Sequence, residues 1–137
     1  MKLLLDANVM ISVLVASEKE HITAVMATNM ALEKYEVLLT PATFVICHYF
    51  IKKYIKQAEK RERVIMDLIH FQYTTENDTI IRQALQSDFE DKEDALQYYS
   101  ALNAGAEMII TFNIRDYQPY ARLPVLHPTE FILLEGQ

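Results

Sequence analysis

With 137 residues, 51% of them hydrophobic and 23% charged, this chain has the size and composition of one globular domain that buries an ordinary core. Its net charge of −6 argues against nucleic-acid binding as a bulk property, and its one cysteine, Cys47, excludes an internal disulfide and fits a reducing compartment. No apolar run nears the roughly 20 residues a membrane span needs, and Asp6 and Asn8 interrupt the apolar start too early for a signal peptide, so a cytoplasmic protein is expected.

Residues 2 to 6 read as a short buried strand that closes on Asp6. Residues 8 to 16 read as a helix with Asn8 as its cap. Helical spacing continues over 20 to 34, and Glu36 to Leu39 forms a second strand. Thr40 and Pro41 open a helix that runs to about Lys53. Another helix covers about 57 to 70, before a third strand from Phe71 to Thr74.

Asn77 or Asp78 starts a helix with Ile80, Ile81, Ala84 and Leu85 on one face. Asp91 caps the next, from about 92 to 104, and Gly105 ends it. Glu107 to Thr111 is a fourth strand. Pro124 to Leu126 is a fifth, placed at an edge by its proline, and Pro128 to Phe131 forms a last helical turn. Strands alternating with helices predict an α/β fold around a mainly parallel sheet of about five short strands. Two glycines leave no flexible linker, so residues 1–137 read as one domain. The chain has no Gly-rich dinucleotide or P-loop motif and no GxSxG, and its four histidines lack metal-ligand spacing.

The chemistry resides in acids at the edges of these elements. Asp6 ends the first strand, which aims it at the crevice where open α/β sheets bind ligands. Asp94 lies in the first turn of a helix, and Asp116 follows the apolar run Met108-Ile109-Ile110. If the three converge, they form a site for a hard cation such as Mg²⁺ or Mn²⁺, which takes oxygen ligands and offsets the repulsion among carboxylates. Each also has a plainer reading. Asp6 and Asp91 can be helix caps, Asp94 can answer the helix dipole, and Asp116, Thr111 and Asn113 can be turn formers. Lys52, Lys53, Lys56, Lys60, Arg61 and Arg63 crowd one stretch, either as a solvated face or as a surface for nucleic-acid phosphates.

Three pieces carry a resemblance. They are Leu3-Leu4-Leu5-Asp6-Ala7-Asn8, then Asp91 to Leu102 beginning Asp91-Lys92-Glu93-Asp94-Ala95-Leu96, then Gly105 to Tyr117 ending Thr111-Phe112-Asn113-Ile114-Arg115-Asp116-Tyr117, with Pro124-Val125-Leu126 and Pro128-Thr129-Glu130-Phe131 resembling a closing strand and turn. In this order the chain resembles a PIN domain, the small metal-dependent nuclease fold of VapC-type toxins and RNA-processing enzymes. The resemblance implies a single PIN-like domain with Asp6, Asp94 and Asp116 as catalytic metal ligands. It also implies Asn8, Asp91, Thr111 and Asn113 as supporting groups, RNA as substrate, an antitoxin protein as partner, and a homodimer. Lys52, Lys53 and Lys56 would then face the RNA.

One position departs from the family. The glutamate usual on the helix after the second strand falls at Ile46, and Ala42 to Phe50 contains no acid. Glu90 or Asp91 could substitute. The departure leaves a second expectation open, a PIN-like module that binds RNA or protein without turnover. A haloacid-dehalogenase-type phosphatase is disfavoured, because Asn8 stands where that chemistry wants a second acid.

Overall fold

The computed structural model describes residues 1–137. Five strands form one sheet in the order β3-β2-β1-β4-β5, and every neighbouring pair is parallel. They are β1 (Lys2–Leu5), β2 (Glu36–Leu39), β3 (Gln72–Tyr73), β4 (Met108–Ile110) and β5 (Val125–Leu126). Parallel strands need crossover connections, and helices supply them: α1 (Ala7–Leu14) and α2 (His21–Lys34) between β1 and β2, then α3 (Pro41–Tyr54) and α4 (Ala58–Met66) before β3. Helices α5 (Asp78–Gln86) and α6 (Lys92–Asn103) precede β4, α7 (Ile114–Tyr117) precedes β5, and α8 (Pro128–Glu135) follows it.

Side-chain alternation along the strands divides the core in two. Leu3, Leu5, Val37, Leu39 and Ile110 pack against residues of α1, α2, α3 and α8 on one face. Leu4, Leu38 and Ile109 pack against α5, α6 and Tyr117 of α7 on the other. The central strand is therefore hydrophobic on both sides, as its unbroken leucine run requires. Cys47, fully buried on the inner face of α3, has its thiol pushed up to about 12 by desolvation. No helix is long and apolar enough to cross a membrane.

Several boundaries differ from the sequence reading. The first helix is capped by Asp6, which accepts from its neighbour Ala7 N at 2.6 Å, and it begins two residues earlier than a cap at Asn8 would allow. The single helix expected over 57 to 70 is α4 followed by a 3₁₀ turn over Asp67–His70. The segment after Asn113 forms the short helix α7 where only a turn was expected. The last element runs to Glu135 rather than Phe131, opened by His127, whose ring accepts from Thr129 N while Glu130 accepts from His127 N. Gly105 ends α6 with φ +81°, which suits glycine by backbone conformation rather than by space, since a Cβ there would meet nothing within 4 Å.

Candidate functional site

In this strand order the chain leaves β1 toward β2 on one side and later returns to β1's other side as β4. The seam between β1 and β4 is thus a topological switch point, where α/β sheets open a crevice at their carboxyl ends. Asp6 and Thr111 occupy that edge, one residue past Leu5 and Ile110. The backbone ties them: Asp6 N donates to Ile110 O at 3.0 Å.

Asp6 is only 5% exposed. Its Oδ1 accepts from Ala7 N, and its Oδ2 accepts from Thr111 Oγ1 at 2.8 Å and Asn8 Nδ2 at 3.3 Å. Asn8 also donates to Thr111 Oγ1 at 3.1 Å and accepts from Phe112 N at 3.2 Å, and Asn113 N donates to Thr111 Oγ1 at 3.0 Å. Asn8 and Thr111 are therefore structural partners of the carboxylate, and Asn113 closes the ring through its backbone. Even so, burial holds the Asp6 carboxyl above its ordinary range; the Thr111, Ala7 and Tyr117 contacts offset this in part, and Asp116 adds to it.

Beside this cluster lies a cavity of about 260 Å³, lined by Asp6, Asn8, Ile46, Asp94, Gln97 and Asn113 among others. Helix α6 brings Asp94 and Gln97 there, three residues apart on one face. Helix α3 brings Ile46, so an apolar side chain faces the site at the position where the resemblance implies an acid. The Asp94 carboxyl is pushed up to about 7, first by burial and then by Asp6, Asp91, Asp116 and Glu93.

The other expected residues take different places. Asp116, on α7, is exposed and does not line the cavity, yet lies close enough for its charge to reach Asp6 and Asp94. Asp91 caps α6, accepting from Glu93 N at 2.8 Å and Asp94 N at 3.3 Å. Lys52 and Lys53 lie exposed in the last turn of α3, and Lys56 follows it, donating to Lys53 O at 3.0 Å. No three His, Cys, Asp or Glu side chains converge on one point. The reason is local: Asp6 spends both oxygens on its own surroundings, and Asp116 stands outward.

Three participants had no role in the sequence reading. Glu93 is the additional acid on the cavity wall, rather than Glu90 or Asp91. Tyr117 is fully buried near Asp6, but its hydroxyl forms no hydrogen bond within normal limits. Gln97 Oε1 is also buried without a partner. Only the helical offset from Asp94 could have pointed to Gln97.

These donors fit a hard divalent cation. Asp6, Glu93 and Asp94 line one cavity without converging on one point, and Mg²⁺ commonly keeps waters beside one or two carboxylates. The raised carboxyl of Asp94 marks excess negative charge that a cation would offset.

A family model described as a PIN domain matches residues 2–115. No curated protein matches the sequence. Among solved structures, a chain of VapBC2 from Rickettsia felis bound to a DNA fragment from its promoter superposes with TM-score 0.70 at 12% identity, over 93% of this chain and 98% of that one. VapBC-1 from nontypeable Haemophilus influenzae gives TM-score 0.67 at 18% identity, over 94% and 99%. Mycobacterium tuberculosis VapC20, described as a sarcin-ricin loop cleaving toxin, gives 0.58 at 12% identity, over 78% and 86%. At such identities the likeness is one of fold.

The raised carboxyls set a pH dependence. Folded Asp94 keeps its proton up to about 7, whereas an ordinary carboxyl loses it near 3.8. Between those values the folded state binds more protons, so stability falls as pH rises through the window; Asp6 acts in the same direction. Without divalent cations, the melting temperature is expected to drop between about pH 5 and about pH 7.5, and Asp94→Asn is expected to flatten that drop. An equal slope in the variant would assign the effect to other groups.

Proposed function

The chain belongs to the PIN-domain family, and from that membership and its acidic cavity we propose that it is a metal-dependent ribonuclease acting as the toxin of a toxin–antitoxin pair. The observation that carries this reading is Asp6 and Asp94 on one cavity wall at the β1–β4 switch point, with Asp116 at its margin. The likeness to VapBC chains supports the toxin role, a protein antitoxin as partner, and residues 1–137 acting as one domain.

Asp6 and Asp94 would hold Mg²⁺ or Mn²⁺, with Asp116 drawn in from the margin. When bound, a divalent cation supplies Lewis-acid stabilisation of the phosphodiester and lowers the pKa of water. Thr111 and Asn8 keep Asp6 Oδ2 in one orientation, so the carboxylate meets its partner already positioned. Lys52, Lys53 and Lys56 contact the phosphates of the same RNA away from the reacting bond. The active species is a homodimer in this proposal.

Ile46 motivates a second reading, a PIN module that binds RNA or a protein partner with little or no turnover. An apolar side chain on the cavity wall lowers the number of charged oxygens available to a cation.

The two readings separate in one set of measurements. Asp6→Asn and Asp94→Asn are expected to reduce RNA cleavage at least about a hundredfold while circular dichroism stays unchanged, since Asn also serves as a helix cap. Equal cleavage by both variants and wild type would rule out the ribonuclease. Ile46→Glu is expected to tighten Mn²⁺ binding by about tenfold in calorimetry, because site charge sets affinity; unchanged affinity in a folded variant would mean that Ile46 does not limit the site. Neutralising Lys52, Lys53 and Lys56 together is expected to reduce the salt slope of RNA binding by about one per lost phosphate contact. An unchanged slope would make them a solvated face.

A further inference from the structure

Ala42 and Ile46, four residues apart on α3, both line the acidic cavity. Helical spacing carries the same stripe on to Tyr49 and Lys53, in steps of three and four residues, with Val45 and Lys52 alongside. At 1.5 Å per residue, Tyr49 lies about 4.5 Å and Lys53 about 10 Å beyond Ile46 along the helix axis. The stripe therefore leads from the cavity wall to open surface. Ile46 is half-buried, Tyr49 is 58% exposed, and Lys52 and Lys53 are exposed.

Tyr49 is the least engaged ring on this helix. Phe50 and Tyr54 stack at 5.8 Å with their planes 9° apart, and Lys53 Nζ sits 5.3 Å from the Tyr54 centroid. Phe44 lies against His48 and Tyr73. Tyr49 has one ring contact, with Phe50, whose plane is perpendicular to its own. The charges beside it are free as well. Lys52, Lys53 and Lys56 belong to neither of the molecule's ion pairs, which join Lys34 to Glu135 and Arg82 to Asp78. Residues 52 to 63 carry six basic and two acidic side chains in a chain of net charge −6, so this end of α3 is where a polyanion is attracted.

An exposed ring beside unpaired cations is the combination that holds single-stranded nucleic acid, because every base offers a face to stack and every nucleotide a charge to neutralise. Resting on the ribonuclease reading above, we propose that Tyr49 is a stacking platform for an unpaired base of the RNA, adjoining the phosphodiester at the cavity, with Lys52 and Lys53 on the phosphates beyond. The substrate class that follows is single-stranded RNA or an unpaired loop, since bases inside a helix have no free face. The plainer reading makes Tyr49 and its exposed neighbour Val45 a contact between two copies of the chain.

The test is fluorescence anisotropy of a labelled single-stranded oligoribonucleotide on the full chain, in EDTA so that nothing is cleaved, over a range of salt. Wild type is compared with Tyr49→Ala, Tyr49→Leu and Tyr49→Phe, which at an exposed helical position are expected to keep the circular dichroism of wild type. Stacking predicts that Tyr49→Ala weakens binding by about tenfold, with an unchanged salt slope because no charge is lost. Tyr49→Leu is expected to fall with it, whereas Tyr49→Phe stays within about threefold of wild type. Binding of a duplex of the same sequence is expected to be indifferent to Tyr49→Ala. Unchanged affinity in Tyr49→Ala, Tyr49→Leu as tight as wild type, or an equal loss on the duplex would overturn the proposal. A loss of affinity that accompanies a change of oligomeric state in size-exclusion chromatography would overturn it too, and assign the face to a second copy. Wild type that binds RNA with no loss in the Tyr49 variants sinks this proposal alone. Wild type that binds no RNA sinks the RNA reading and this proposal with it.

Discussion

A carboxylate buried at the end of the central strand is the constraint around which this molecule is arranged. Asp6 cannot be left bare in that position, because a buried charge without partners is far too costly. The fold answers with the α1 N-terminus on one oxygen and the Thr111 hydroxyl on the other. Asn8 spans both the carboxylate and Thr111, which locks the ends of β1 and β4 together. The same contacts that let the charge be buried hold it at the mouth of the crevice. Stability and positioning here are one set of bonds.

The division of labour around Asp6 follows from this. Asp94 arrives on α6, whose first turn favours acids through its exposed N–H groups and is capped by Asp91. That favourable end is not enough to outweigh partial burial beside other acids, which is why the Asp94 carboxyl holds its proton so far up the pH scale. Asp116 stands in solvent. The cavity is electrostatically tense on the side facing α6 and α7 and apolar on the side facing α3, where Ile46 and Ala42 line it.

Much of this is legible in the sequence. Apolar runs of three or four residues ending on polar ones located β1 and β4, and the alternation of strands with helices led to the parallel sheet. The departure at Ile46 was readable as a missing acid, and its side chain does line the cavity. Other features were hidden for physical reasons. Asp6 and Asn8 are both good caps, and only the backbone geometry decides that Asp6 takes the role. A glutamine inside a helix carries no periodic signal, so nothing in the sequence singles out Gln97, although tertiary contacts bury it. Leu133 and Leu134 are exposed, so the second half of α8 shows no apolar stripe and its length was missed. Tyr117 followed a supposed turn residue, and nothing local foretold that its ring would fill the core under α6.

The bond from Thr111 to Asp6 spans 105 positions of chain. Beside it, β1 pairs with β4 over a similar interval, Leu3 against Met108. Contacts so distant in sequence form late, because the intervening loop must close before they repay its entropy. A polypeptide emerging from the ribosome therefore carries Asp6 long before it carries the residues that hold Asp6 in place. Unfinished or prematurely ended chains have the first acid of the cavity without the seam that positions it. During biosynthesis Asp6 thus stays without the seam that positions it until just over four-fifths of the chain has been made, an order of assembly set by strand order alone.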